Sequence, residues 1–201
     1  MIAGLGNPGS QYRGSRHNLG FLVVDELASR GGMDLRKKRM GARYDCGCLE
    51  QKEVTLIKPQ TFMNESGLSV SAWLSALRLE PSGLIVVHDD LDLSLFHIRI
   101  KRGGNHGGHR GVSSIIKEIA SPNFVRIRIG IGRPAEDISA ADYVLQRFSA
   151  VEAEDLPEAI RRGADAALAV IQEGLEAAMN RFNARSKREI KPLQSMNHRR
   201  T

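Results

Sequence analysis

Residues Leu84–Asp92 have the sequence LIVVHDDLD, and this stretch decides the fold. Its first four residues are all apolar, which is typical of a strand that lies inside a sheet with both faces covered. A histidine and three aspartates follow. In α/β proteins the carboxyl ends of the strands form the edge at which sites are built. We therefore predict a central strand at Leu84–Val87 and a functional site where it ends.

Strands and helices alternate on both sides of this stretch. Apolar runs or a strict period of two predict further strands, which are Met1–Leu5, Ala42–Glu50, Val54–Lys58, His97–Lys101 and Arg126–Ile131. Helical spacing of apolar residues predicts helices, which are Leu19–Ser29, Ser66–Leu79, Val112–Ala120 and Val151–Phe182. Ser66 is the expected N-cap of its helix, and a break near Pro157 is expected in the last one. The pattern predicts an α/β fold: a single domain with a twisted mixed β-sheet and helices on both faces.

The composition indicates one domain in a reducing compartment. A chain of 201 residues, 41% of them apolar, can bury a sizeable core. Two cysteines exclude a disulfide scaffold. No apolar run approaches the roughly 18 residues of a membrane span, and the N-terminus lacks the features of a signal peptide. We expect a cytoplasmic protein.

The formal net charge of +6 is unevenly placed. Residues 181–201 hold seven Lys or Arg and one acid, so residues 1–180 balance at 22 bases and 22 acids. Within that neutral part, residues 97–133 carry eight bases and one acid, which suggests a polyanionic partner. We expect a folded domain at residues 1–182 and a basic, disordered tail at 183–201, which has too few apolar residues to pack.

Two glycine-rich segments resemble phosphate-binding loops, but each lacks a feature that such a loop requires. Gly4–Gly9 is a literal G-x-G-x-x-G, but polar and irregular residues follow where a dinucleotide-binding unit opens a helix. We interpret its second half as a sharp turn. Gly103–Gly111 leads into a helix but lacks the Gly-Lys-Ser/Thr ending of a P-loop. It is either a plain flexible loop or a segment that approaches a phosphate.

A histidine and a carboxylate are the candidates for catalysis. His17 lies in a polar loop before the first helix, and Asp89 follows the central strand. A carboxylate can hold a histidine in one tautomer and stabilise its protonated form. The chain has no G-x-S-x-G nucleophile elbow, and the alternation of Cys46 and Cys48 within a strand favours a structural role. A His–Asp pair without an activated nucleophile indicates attack by water.

Metal binding is a competing interpretation. Nitrogen and oxygen ligands are supplied by His88, Asp89, Asp90, Asp92, His106 and His109. None of their spacings matches an established metal signature, so we expect no metal site.

Taken together, these segments resemble the bacterial peptidyl-tRNA hydrolase family. The matching runs occur in the family's order and at its spacing, and they are Gly4–Gly9, Tyr12 with Arg16–Asn18, Lys58–Gly67, His88–Leu93, Gly103–Gly111, and Asn123–Phe124 with Arg126–Gly132. The resemblance implies a monomer with a single-domain mixed α/β sheet and no metal or other cofactor. It also implies an esterase that cleaves the bond between the peptide and the terminal ribose of peptidyl-tRNA.

The resemblance implies roles for individual residues of the reaction. His17 matches the general base that activates water, and Asp89 matches its orienting partner. Asn7 and Asn64 match asparagines that hold the peptide and position the water or the oxyanion. From the residues alone, Asn64 could equally cap the helix that follows it.

Other matching positions imply contacts to the substrate. Tyr12 and Met63 are expected to line the pocket together with Asn64. The basic positions that match those used for tRNA phosphates are Arg99, Lys101 and Arg128. Because every tRNA must be accepted, we expect recognition of the backbone and shape rather than of bases.

The sequence departs from the family pattern at two places. The family usually has Asn after Gly-Gly-His, where this chain has Arg110, and we expect Arg110 to contact a phosphate instead. Leu93–Phe96 lacks the Pro and Gly expected in that turn. Two alternatives stay open: a non-catalytic RNA-binding module on the same scaffold, and a metal-dependent hydrolase.

Overall fold

The computed structural model describes residues 1–184, which build a seven-stranded sheet. The strands are β1 (Ile2–Gly4), β2 (Lys37–Arg39), β3 (Ala42–Leu49), β4 (Lys52–Pro59), β5 (Ile85–Asp90), β6 (Ile98–Arg102) and β7 (Val125–Gly130). They are arranged in the order β2-β3-β4-β1-β5-β7-β6. The inner strands β4, β1, β5 and β7 are parallel, whereas the β2–β3, β3–β4 and β6–β7 pairs are antiparallel. The predicted mixed sheet is confirmed, with β5 inside it.

Helices cover both faces of the sheet, also as predicted. They are α1 (Leu19–Arg30), α2 (Ser66–Leu77), α3 (Arg110–Ile119), α4 (Ala140–Leu145), α5 (Ala150–Gln172) and α6 (Leu175–Asn183). Helices α1, α5 and α6 share one apolar core with the sheet, and α2 and α3 share the other. Successive residues of β5 alternate between the two cores, with Ile85 and Val87 in the first and Val86 in the second.

Two glycines bring α1 close to the centre of the sheet. A Cβ atom on Gly20 would overlap the backbone of Leu5 and the carbonyl oxygen of Val87, and one on Gly4 would overlap Gly20. Only residues without a side chain permit this approach. As a result the 3-10 turn Arg16–Asn18, which runs into α1, lies against the end of β5.

Two predictions about helix ends are wrong. Ser66 is the first residue of α2 rather than its N-cap, because the chain already turns helically at Met63–Glu65 and Ser66 has helical φ and ψ. Pro157 lies inside α5, which continues through it. Seven buried residues, five of them alanines, pack α5 into the core and outweigh the one hydrogen bond that proline removes. The chain breaks instead at Gly174, which has a φ of 83°.

The last described residues overlap the start of the predicted tail. Asn183 belongs to α6, and its side chain exchanges two hydrogen bonds with the backbone of Ile100 in β6. The fold thus extends one residue into the segment predicted as a tail, and residues 185–201 lie outside the described residues. Within residues 1–184, no helix is long and apolar enough to span a bilayer.

Candidate active site

The turn before α1 holds His17 against the last residues of β5. The Nδ1 atom of His17 lies 2.8 Å and 2.9 Å from the two carboxylate oxygens of Asp89. Both side chains are buried, and Asp89 is only 1% exposed. An ionised carboxylate only accepts hydrogen bonds, so Nδ1 carries the proton and Nε2 is left as an acceptor. The sequence placed Asp89 after the strand; it lies within β5, one residue from the end.

A second histidine shares the same carboxylate. Nε2 of His109 lies 3.0 Å from Oδ1 of Asp89, while its Nδ1 accepts a 3.3 Å hydrogen bond from the backbone N–H of Val112 at the start of α3. With a proton on Nε2, the ring donates to Asp89 and accepts from Val112. The sequence pattern indicates His109 only as a possible metal ligand, because no local pattern shows that an N-cap side chain reaches a distant strand.

Charge and burial set the protonation of this cluster. Burial alone would raise the pKa of Asp89, but the neighbouring His17 and His109 hold it well below its usual range. Asp89 is therefore ionised at neutral pH. Complete burial, with a smaller contribution from His109, lowers the pKa of His88 well below its usual value. Its Nδ1 donates to the backbone oxygen of Asp89, and its ring packs 4.6 Å from that of His109.

Asn7 joins the turn of His17 to the loop before α2. Its Oδ1 accepts a 2.8 Å bond from the backbone N–H of Met63, which leaves its Nδ2 donor unused by that contact. Asn18 locks the turn, since its side chain bonds both the N–H and the carbonyl of Asn7. Asn64 is exposed next to the buried Met63. Asn18 therefore holds the backbone of the turn, a role that its position in the sequence does not indicate.

Two adjoining pockets meet at His17. One has a volume of about 300 Å³ and includes Asp89, Asp90, His109 and the glycine-rich loop in its lining. The other has a volume of about 200 Å³ and is lined mainly by apolar side chains together with Asn7 and Asn64. The two pockets share four lining residues, which are His17, Arg110, Ala141 and Val144. Met63 lines the smaller pocket, whereas Tyr12 lines neither of the two.

The predicted basic residues lie on one face of β6 and β7. Register pairs Arg99 with Arg128 and Lys101 with Arg126, so all four share a face. Arg99 and Lys101 are exposed, whereas Arg128 is half-buried with its Nε 2.6 Å from Oδ2 of Asp90. The charge of Arg128 is thus partly neutralised.

Arg126 anchors the glycine-rich loop. It is 2% exposed, and its guanidinium donates to the carbonyl oxygens of Gly103, Gly104 and Asn105. Burial, followed by the nearby charge of Arg128, lowers its pKa. Arg126 therefore shapes the loop that carries His109 rather than presenting its charge to solvent.

Arg110 begins α3 at the boundary of both pockets. Its side chain is exposed, and no carboxylate of residues 1–184 lies within ion-pair distance of it. A cation in this position can attract an anionic group that enters either pocket.

The metal ligands considered in the sequence do not come together as one set. Asp90 and Asp92 pair with arginines, and His106 accepts a backbone N–H within its own loop. Among the described residues, the group with metal-ligand geometry is instead His17, Asp89 and His109, whose ligand atoms lie within 4.8 Å of one another.

Comparison with known proteins agrees with the fold, which is that of a hydrolase built on a mixed α/β sheet. The family model described as Peptidyl-tRNA hydrolase matches residues 1–191. The peptidyl-tRNA hydrolase of Chloroflexus aggregans is 45% identical over 184 residues, covering 91% of this chain and 98% of that protein. That of Mycobacterium ulcerans is 44% identical over 185 residues, covering 92% and 97%.

Solved structures agree as well. A crystal structure of peptidyl-tRNA hydrolase from Acinetobacter baumannii has a TM-score of 0.85 at 38% identity, covering 91% of this chain and 93% of that one. A complex of peptidyl-tRNA hydrolase with N-propanol gives the same values. This chain belongs to the peptidyl-tRNA hydrolase family, and the predicted family, fold class and hydrolase activity are confirmed.

Proposed function

We propose that this chain hydrolyses the ester between the peptide of peptidyl-tRNA and the 3'-terminal ribose, releasing peptide and free tRNA. The observation that carries the proposal is the buried His17–Asp89 pair at the junction of two pockets. When its Nδ1 donates to Asp89, His17 offers Nε2 as an acceptor, and the residue borders both pockets, which suits a base that must meet water and substrate together.

The reaction proceeds by general base catalysis. Nε2 of His17 takes a proton from a water molecule whose oxygen attacks the ester carbonyl carbon. Asp89 stabilises the imidazolium that forms. When the tetrahedral intermediate collapses, the bond from the carbonyl carbon to the ribose oxygen breaks, and His17 returns its proton to that oxygen. The peptide leaves with a carboxyl group.

Amide donors stabilise the charge that develops on the carbonyl oxygen. Nδ2 of Asn7 is left unused by the bond that fixes its Oδ1, and the exposed Asn64 lines the same pocket. A pre-oriented donor of this kind needs no reorganisation during the reaction. Met63 and the other apolar side chains of the smaller pocket accommodate the acyl group. Tyr12 contacts the substrate from outside the pocket lining.

Basic residues outside the pockets hold the tRNA. Arg99, Lys101 and Arg110 are exposed and bind phosphates, with Arg128 contributing less because Asp90 already pairs with it. The enzyme works as a monomer in the cytoplasm, with residues 1–182 as the catalytic domain and 183–201 as a basic tail.

An N-acetylated aminoacyl-tRNA, incubated with the protein in the presence and absence of EDTA, tests the proposal. We expect release of tRNA at equal rates in both, well above hydrolysis of the substrate without protein. Loss of release in EDTA would favour a metal-dependent hydrolase, for which the His17, Asp89 and His109 ligand atoms are a specific observation. Tight tRNA binding without release would favour the RNA-binding module.

A further inference from the structure

The residue that precedes His17 connects the catalytic turn to the outer wall of both pockets. That wall is α4, which supplies Ala141 and Val144 to each pocket. The helix has six residues, and none of them is buried. Tyr143 and Val144 are partly buried against the main core, and a helix this short depends further on contacts made around it.

Those contacts converge on Arg16, which is 5% exposed. Its guanidinium carbon lies 4.4 Å from the ring centre of Tyr143 and 4.8 Å from that of Phe148. Its Nη2 is 2.6 Å from Oε2 of Glu152 at the start of α5. We call these four residues the Arg16 cluster. A guanidinium between aromatic faces with a carboxylate partner is a favourable burial for a cation.

The backbone strengthens the same connection. The N–H of Arg16 donates to the carbonyl of Gln146, and Ser15 forms an isolated bridge with Arg147. The hydroxyl of Tyr143 donates to the carbonyl of Ile131, next to β7. Within residues 1–184, the two remaining nitrogens of the guanidinium have no hydrogen-bond acceptor, so the rings and Glu152 carry its interactions.

The cluster reaches the turn that departs from the family pattern. Phe96 has a φ of 58°, a conformation that favours glycine, and its ring lies 5.5 Å from that of Phe148. The ring is 7% exposed, so burial compensates for the strained backbone.

His17 does not depend on the cluster in the same way. Asp89 holds its ring, and the mutual bonds of Asn7 and Asn18 hold its backbone turn. Loss of the cluster therefore frees α4 and leaves the base in place.

We infer that Arg16 is a positioning residue that fixes α4 as the wall of the substrate pockets. It acts on substrate binding and not on the chemical step. The inference rests on the proposed function, since it requires that the two pockets hold the ester and its flanking groups.

The test uses the full chain with Arg16→Lys, which keeps the charge opposite Glu152 but loses the planar group between the rings. We expect KM for N-acetyl-aminoacyl-tRNA to rise about tenfold while kcat stays within about twofold. We also expect amide exchange across α4 to accelerate at least about tenfold, with exchange in β5 unchanged. Phe148→Leu, which removes one ring and spares the ion pair, provides the same readouts if the lysine variant does not fold.

Arg30→Lys is the matched control, because Arg30 joins α1 to Asp165 of α5 without contacting α4. It is expected to lower thermal stability while leaving KM and α4 exchange unchanged. Faster α4 exchange in Arg16→Lys with an unchanged KM would overturn the inference. Unchanged α4 exchange would overturn it too. Failure of the proposed function itself is distinct, because substrate would then not be hydrolysed by the wild-type protein in the EDTA experiment.

Discussion

Nε2 of His109 lies 3.0 Å from Oδ1 of Asp89, the same oxygen that lies 2.8 Å from Nδ1 of His17. One buried carboxylate therefore accepts hydrogen bonds from two imidazoles. The bond from Val112 to Nδ1 of His109 keeps its remaining proton on the nitrogen that faces Asp89. His109 thus helps to keep Asp89 ionised and oriented, although His109 does not border the smaller, apolar pocket.

Replacing His109 should slow the reaction without abolishing it. His109→Ala removes a donor to Asp89 but leaves both contacts between Asp89 and His17, so we expect kcat to fall roughly tenfold to a hundredfold. Steady-state kinetics with N-acetyl-aminoacyl-tRNA measure this. His106→Ala, in the exposed part of the same loop, is the control and should keep the wild-type rate. A wild-type kcat for His109→Ala would show that Asp89 needs no second partner.

Replacing the base itself should have a larger effect. His17→Ala is expected to lower the single-turnover rate by about 10²–10⁴-fold, since general base catalysis by a positioned group contributes that much. Affinity for uncharged tRNA should be unchanged, because the proposed phosphate contacts are made by Arg99, Lys101 and Arg110 and not by His17. Filter binding checks the affinity, and His97→Ala controls for removal of an imidazole outside the two pockets. Full activity of His17→Ala would remove it from the mechanism.

Arg110 is expected to bind a phosphate. Arg110→Asn restores the family's usual residue, and we expect weaker tRNA binding with a salt slope, d log K/d log [salt], about one unit shallower. Titrations across a salt series measure both quantities. Lys117→Asn, which removes a charge from the last turn of the same helix, is the control. Unchanged affinity together with an unchanged slope would contradict a phosphate contact.

His88 should make the fold sensitive to acid. Its pKa in the folded protein lies well below the ordinary value near 6.5 because it is buried, so below that pH the unfolded chain binds a proton that the folded chain does not. The free energy of unfolding should then fall with decreasing pH by up to about 1.4 kcal/mol per unit through this residue. Denaturant unfolding from pH 7 to pH 5 measures the slope.

His88→Gln should flatten that dependence relative to the wild-type protein, whatever its effect at neutral pH. His106→Gln, which removes an exposed imidazole from the glycine-rich loop, is the control for loss of a histidine. Equal slopes for the wild-type protein and His88→Gln would show that the histidine is not protonated selectively on unfolding.

Much of the architecture could be predicted because it is encoded locally. The apolar run of β5 and the period of two in β6 and β7 identify strands wherever they pack, and the elements appear within a few residues of their expected bounds. Short elements were missed, namely β2 with three residues and α4 with six, because too few residues carry a period. The helix break predicted near Pro157 is wrong because the packing of a long helix outweighs one missing hydrogen bond.

The sequence by itself determined the sheet, the family and the chemistry available at the end of β5. Tertiary structure alone decided contacts that no sequence pattern indicated: His109 meets Asp89 across 20 residues, and Arg16 meets Glu152 across 136. It also made Arg126 a buried anchor of the glycine-rich loop, and it left Tyr12 outside the pocket lining. The physical reason is that periodicity reports the faces of a single segment. Contacts between distant segments depend instead on close packing, such as the approach of Gly20 to β1 and β5, which spacing along the chain does not record.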